Sequence, residues 1–92
     1  LGDVYKRQGM NRSSAVMYIY VVDCMLKGNV YKRAISTKAT EKYFKEIYEE
    51  YGKSGLCNAL QATREHIRYR KNLGHTVEGL VTLCVQYEMY LD

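Results

Sequence analysis

The chain has no proline and no tryptophan, and its single phenylalanine is Phe44. Without proline, no helix is interrupted by a missing N–H and a ring clash, so the breaks have to fall on other residues. Without tryptophan, the bulky aromatic filling of a core passes to tyrosine, of which there are ten. Cysteine is scarce: Cys24, Cys57 and Cys84 are an odd set at wide spacing, which argues against a disulfide framework and for reduced thiols in a cytoplasmic protein. Long apolar runs are missing too. The longest, Ala15 to Val22, is stopped by Asp23; a bilayer span takes about 20 residues, and no small-residue cleavage site follows it. That stretch is therefore expected to be a core element, with no membrane partner.

Signatures of catalysis are equally scarce. No glycine loop for phosphate, no nucleophile elbow and no converging carboxylate pair stands in the sequence. Cys57, His66, His75 and Cys84 recur at equal spacing and superficially suggest a zinc set. Nine residues of helix turn through about 900°, however, so Cys57 and His66 fall on opposite faces some 13 Å apart along the axis. No metal, no cofactor and no enzymatic activity are expected, and His66 reads as a satisfied, semi-buried core histidine.

The first eight residues, LGDVYKRQ, resemble something other than protein. They match a one-frame translation of CTC GGA GAT GTG TAT AAG AGA CAG, the end of an adapter used in transposon-based DNA libraries. The resemblance implies that Leu1 to Gln8 are an adapter-derived artefact from assembled environmental DNA, that residues 9–92 form a single helical domain open to truncation, and that its true start is upstream of Gly9, at Met10 or elsewhere. Setting the segment aside removes Lys6, Arg7 and Asp3, so the formal charge falls from +4 to +3. What remains is enough for one small core and not for two.

Glycines supply the punctuation that proline does not. LKG at 26–28, EYG at 50–52 and NLG at 72–74 each look like a last helical turn followed by a glycine able to take positive φ. Candidate N-caps precede the segments so defined: Asn11 or Ser13, Thr37, Ser54 and Thr76. The expected fold is all-α, a small bundle of about four helices that can accommodate a helix-turn-helix.

The periodicity is clearest from Thr37 to Tyr51, where Tyr43, Phe44, Ile47, Tyr48 and Tyr51 share an arc of about 140°. Glutamates and lysines alternate on the other side as a solvated face. In the first segment, AVMYIYVVDCML is apolar nearly all round, so a buried strand competes with a buried helix over 15–22. The last segment places Val77, Leu80, Val81, Cys84, Tyr87 and Leu91 on one side, and Gly79 suggests a close helix contact.

The third segment, SGLCNALQATREHIRYRKNLG, leaves only a narrow exposed arc. Gln61, Arg64, Arg68 and Lys71 align on it, and between Arg64 and Lys71 four cations face Glu65 alone. A mostly buried helix showing one ridge of Gln and Arg is what reading DNA in the major groove requires, since Arg can bond guanine and Gln adenine bidentately. Cations near a helix C-terminus also complement its dipole without any ligand. The blocks KGNVYKRAI at 27–35, YFKEIYEEYG from 43 and ALQATREHIRYRKNLG ending at 74 resemble the helix-turn-helix output domain of the sporulation master response regulator. That resemblance implies DNA binding with Asn58 to Asn72 as the groove helix. The competing class is a non-enzymatic interaction or dimerisation module, whose partner is a second copy or another protein. Its warrant is the tyrosine content and the presence of Val85, Met89 and Tyr90 outside the core face of the last helix.

Overall fold

A computed structural model describes residues 12–91, with side chains from Ala15 onward. The adapter-like residues 1–8 and the candidate cap Asn11 lie outside that description, and the other candidate, Ser13, falls within the first helix rather than ahead of it. The described residues form an all-α fold of helices α1 (Arg12–Lys27), α2 (Thr37–Asn72) and α3 (Glu78–Glu88), closed by a 3-10 turn at Met89–Leu91.

The ambiguity over 15–22 resolves as helix. Tyr18, Val21, Val22 and Met25 are buried while Val16 and Tyr20 face solvent, the i, i+3, i+4, i+7 pattern of an amphipathic helix. Among the described residues the expected four helices become three, because the second and third expected segments are one helix bent at Gly52. That glycine has φ 68° and ψ −157°, a conformation that is essentially glycine's alone. A straight helix of 36 residues would run about 54 Å, yet the longest dimension of the molecule is 34 Å. The bend therefore folds α2 into two arms.

α3 is wedged between those arms. On one side the Tyr87 ring packs against Phe44 at 5.4 Å, and its hydroxyl donates to Glu41 at 3.2 Å. On the other side Glu88 pairs with Arg64. Gly79 makes the entry of the wedge possible: a Cβ there would sit 3.0 Å from Thr37 Oγ1, so the expected close contact is present and its partner is the start of α2. Wedging also rotates the buried arc of α3. Leu80, Leu83, Cys84 and Tyr87 are buried, whereas Val81, expected inside, is 41 % exposed.

The helix ends follow the glycines more closely than the expected N-caps. Gly28 and Gly74 have positive φ. Each is followed by a six-residue bond, Asn29 N–H to the Cys24 carbonyl and His75 N–H to the Arg70 carbonyl, and each glycine N–H closes a shorter loop, to the Met25 and Lys71 carbonyls respectively. This is the Schellman arrangement. The cap of α2 is Ser36 rather than Thr37, its hydroxyl accepting from the Ala39 N–H at 3.0 Å. Ser54 lies inside α2, and α3 is capped by Val77 with no side-chain bond, so Thr76 does not serve.

Candidate nucleic-acid interface

The second arm of α2 buries Leu56, Ala59, Leu60, Ala62, Thr63, His66 and Ile67. What it leaves outside is the ridge expected from the wheel: Gln61, Arg64, Arg68 and Lys71 are all exposed. Their surroundings differ. Gln61 lies beside the turn that ends α1, where its amide is 3.6 Å from the position of a Cβ on Gly28. Arg64 is ion-paired with Glu88 of α3, and that carboxylate holds its guanidinium above the usual range. Arg68 pairs with Glu65 one turn back at 3.1 Å. Lys71 has no carboxylate partner among the described residues. It borders an open groove of about 460 Å³ in which Arg64, Arg68 and Lys71 form one wall and Val81, Val85 and Glu88 the other.

Two ridge arginines are thus already neutralised in part, and the cations left without a carboxylate are found nearby. Residues 27–38 contain Lys27, Lys32, Arg33 and Lys38 and no acid. Lys27 is matched by Asp23; Lys32 and Arg33 pair with no carboxylate among the described residues. The linker between α1 and α2 lies along the second arm of α2. Tyr31 stacks on His66, and Lys32 Nζ stands 5.7 Å from the centre of the Tyr69 ring. Next in sequence, Arg70 Nε donates to His75 Nδ1 at 3.4 Å. Tyr20 of α1 fastens the linker from the other side, its hydroxyl accepting from the Lys32 N–H at 3.1 Å. Sequence reasoning singles out the ridge and passes over Lys32 and Arg33. The signal that could have found them is the lack of any acid across 27–38.

The remaining candidates have plain structural roles. His66 is fully buried rather than semi-buried, and among the described residues its Nδ1 has a hydrogen-bond partner and its Nε2 has none. Cys57 is exposed while His66 is inside, the opposite-face placement that helical geometry requires. Burial pushes the Cys84 thiol up to about 11, so it stays protonated at neutral pH and is a poor nucleophile. Among the described residues no three His, Cys, Asp or Glu side chains come together as a metal site, and no helix is long and apolar enough to cross a membrane. Protein-family profiles, curated proteins and solved structures offer no match to this chain.

Proposed function

We propose that this all-α domain binds nucleic acid through the cations gathered on the second arm of α2 and the linker beside it. One observation carries the reading: Lys32 and Arg33, on a linker that contains no acid, and Arg70 and Lys71, in the last turn of α2, have no carboxylate partner among the described residues. Unneutralised cations release the condensed counterions of a phosphate backbone when they meet it, which is the main source of affinity in such complexes. Gln61, Arg64, Arg68 and Lys71 continue that surface along the helix. The pairs that Arg64 and Arg68 make are exposed, hence worth under about 1 kcal/mol each, and phosphates can displace them.

The test is titration of the chain against mixed-sequence duplex DNA and single-stranded oligonucleotides over a series of salt concentrations. Binding that weakens steeply with salt is the expected result. An Arg64→Ala, Arg68→Ala variant with an unchanged melt should bind more weakly and show a shallower slope. No binding to any nucleic acid at low salt overturns the reading.

A second reading is favoured by a different observation. Val81 and Val85 on α3 and Met89 at the start of the 3-10 turn that follows it are spaced four residues apart and are 41, 59 and 74 % exposed. An apolar stripe of that kind suits docking onto another protein or a second copy of the chain. Concentration-dependent self-association, indifferent to nucleic acid and abolished by Val85→Lys, is the outcome that would favour it.

A further inference from the structure

From the way the linker is seated between α1 and α2, we infer that the nucleic acid this domain takes is single-stranded, with one base held against Tyr20 and its phosphates on Lys32 and Arg33. The inference rests on the nucleic-acid reading and narrows its ligand.

The linker and α1 enclose a concavity of about 540 Å³ lined by Val16, Met17, Tyr20, Lys32 and Arg33. Its size is that of a small-molecule pocket, roughly 300 to 1,000 Å³. α1 lines it with the apolar Val16 and Met17 and with Tyr20, and the linker with the cations Lys32 and Arg33. Tyr20 is 39 % exposed, and its hydroxyl is tied to the linker by the Lys32 N–H, so the ring is held in place before any ligand arrives. A fixed aromatic ring beside two cations matches the alternation of base and phosphate along a single strand. In a duplex the bases are stacked inside and present no face to such a ring.

The surface also has a direction in which to continue. Lys32 leans over Tyr69, and Arg70 and Lys71 follow Tyr69 in the last turn of α2. A strand leaving Tyr20 along the linker meets Lys32 over Tyr69 without crossing an acidic residue of the linker, with Arg70 next in the helix, whereas Lys71, about 200° round α2 from Tyr69, faces the groove with Val81 and Val85. The ridge of α2 is less suited to a duplex. Its exposed stripe is flanked by the α1 turn at Gln61 and by α3 at Arg64, and a helix of 10 to 12 Å diameter already fills a major groove about 12 Å wide.

The experiment measures binding of the full chain to a fluorescent single-stranded oligonucleotide of mixed sequence and to its duplex at several salt concentrations. Four variants are compared, each first checked by thermal melt. The parent should bind the single strand more tightly than the duplex. Lys32→Ala, Arg33→Ala should lower the salt slope by about 1.4 units, at ~0.7 for each phosphate no longer neutralised. Lys42→Ala, Lys45→Ala removes the same charge from the first arm of α2 and should leave the slope alone. Tyr20→Leu should weaken binding roughly 5- to 100-fold with the slope unchanged, the effect of removing a stacking platform. Tyr20→Phe, which keeps the ring and loses the hydroxyl that ties it to the linker, should weaken binding less than the leucine variant does and serves where that variant melts early. Equal or tighter binding of the duplex, or a linker variant that behaves as the parent, overturns the inference and leaves the nucleic-acid reading standing. Failure of the parent to bind either form overturns both.

Discussion

The imidazole of His66 is stacked on the ring of Tyr31, 4.1 Å between centroids, while its Nδ1 sits 2.5 Å from the carbonyl oxygen of the same residue. A carbonyl can only accept, so Nδ1 carries the proton and Nε2 is the bare nitrogen. Nε2 is buried with no hydrogen-bond partner among the described residues. The Tyr31 hydroxyl is bonded in turn to the Thr63 hydroxyl at 3.1 Å. One residue of the linker is thus held to α2 through its carbonyl, its ring and its hydroxyl.

That arrangement predicts acid sensitivity. Burial holds the pKa of His66 below its ordinary 6.5, with a smaller contribution from Arg70, against the opposing effect of the bond to Tyr31. In the unfolded chain the ring protonates near its ordinary value, so below that pH the unfolded state binds more protons and stability falls. The contribution of His66 is whole above about pH 6.5 and is lost as the pH drops toward the folded-state value. Melts followed from pH 7.5 down to about pH 5.5, above the ordinary carboxylate range, should show a decline in the parent. His66→Phe should flatten that decline while lowering the melt at neutral pH, because the Tyr31 carbonyl loses its donor. Equal pH dependence in both proteins would mean that protonation of His66 is not coupled to unfolding.

Ile47 is 2 % exposed in the middle of the first arm of α2. Truncating a residue so placed removes its transfer free energy and leaves a cavity, so Ile47→Ala should cost ~2 to 5 kcal/mol. In a domain of this size that is a large part of the total stability. Denaturant unfolding measures it, and a midpoint close to the parent's would show that the first arm does not depend on that face.

At Gly52 the expected defect is backbone strain rather than packing. An added Cβ would meet nothing within 4 Å, yet φ 68° with ψ −157° is a region that side chains disfavour by about 1 to 3 kcal/mol. Gly52→Ala should therefore destabilise by that amount. Gly52→Asn should not rescue it, since asparagine tolerates the left-handed helical region and not this one. Full stability in the alanine variant would place the bend elsewhere.

The pair of Arg64 and Glu88 joins two exposed side chains, 51 % and 41 % accessible. A double-mutant cycle to alanine should give a coupling under ~1 kcal/mol that fades with added salt. A larger coupling would identify the pair as a structural clamp and count against Arg64 as a residue free to meet phosphate.

How much of the fold is legible in the sequence differs by element. The glycines at 28, 52 and 74 mark the three breaks because positive φ is a local property, written in the residue itself. The buried faces of α1 and of the first arm are equally local: one partner surface, one apolar arc. α3 departs from its wheel at Val81 and Leu83 because a helix wedged between two arms rotates its buried arc toward both, and nothing within its own sequence announces a second partner. The cap positions slip for a similar reason. Ser36 and Thr37 are both capable, and Ser36 caps the helix while Thr37 lies against Gly79. In the candidate site, exposure of Gln61, Arg64, Arg68 and Lys71 follows from the wheel. That Glu88 comes back across the fold to Arg64, and that Lys32 lies over Tyr69, are long-range facts that periodicity does not carry.

The wedge position of α3 also sets an order of events during synthesis. Its closing contacts reach far back along the chain, to Glu41 and Phe44 from Tyr87 and to Arg64 from Glu88. While the ribosome has delivered the chain only as far as the Gly74 turn, α1 and both arms of α2 are available to meet, but Phe44 and Ile67 still face an open slot. The apolar lining of that slot remains on view until residues 77–88 clear the exit tunnel. The nascent chain is most vulnerable to misassociation in that interval, and the interval ends with the arrival of a single short helix.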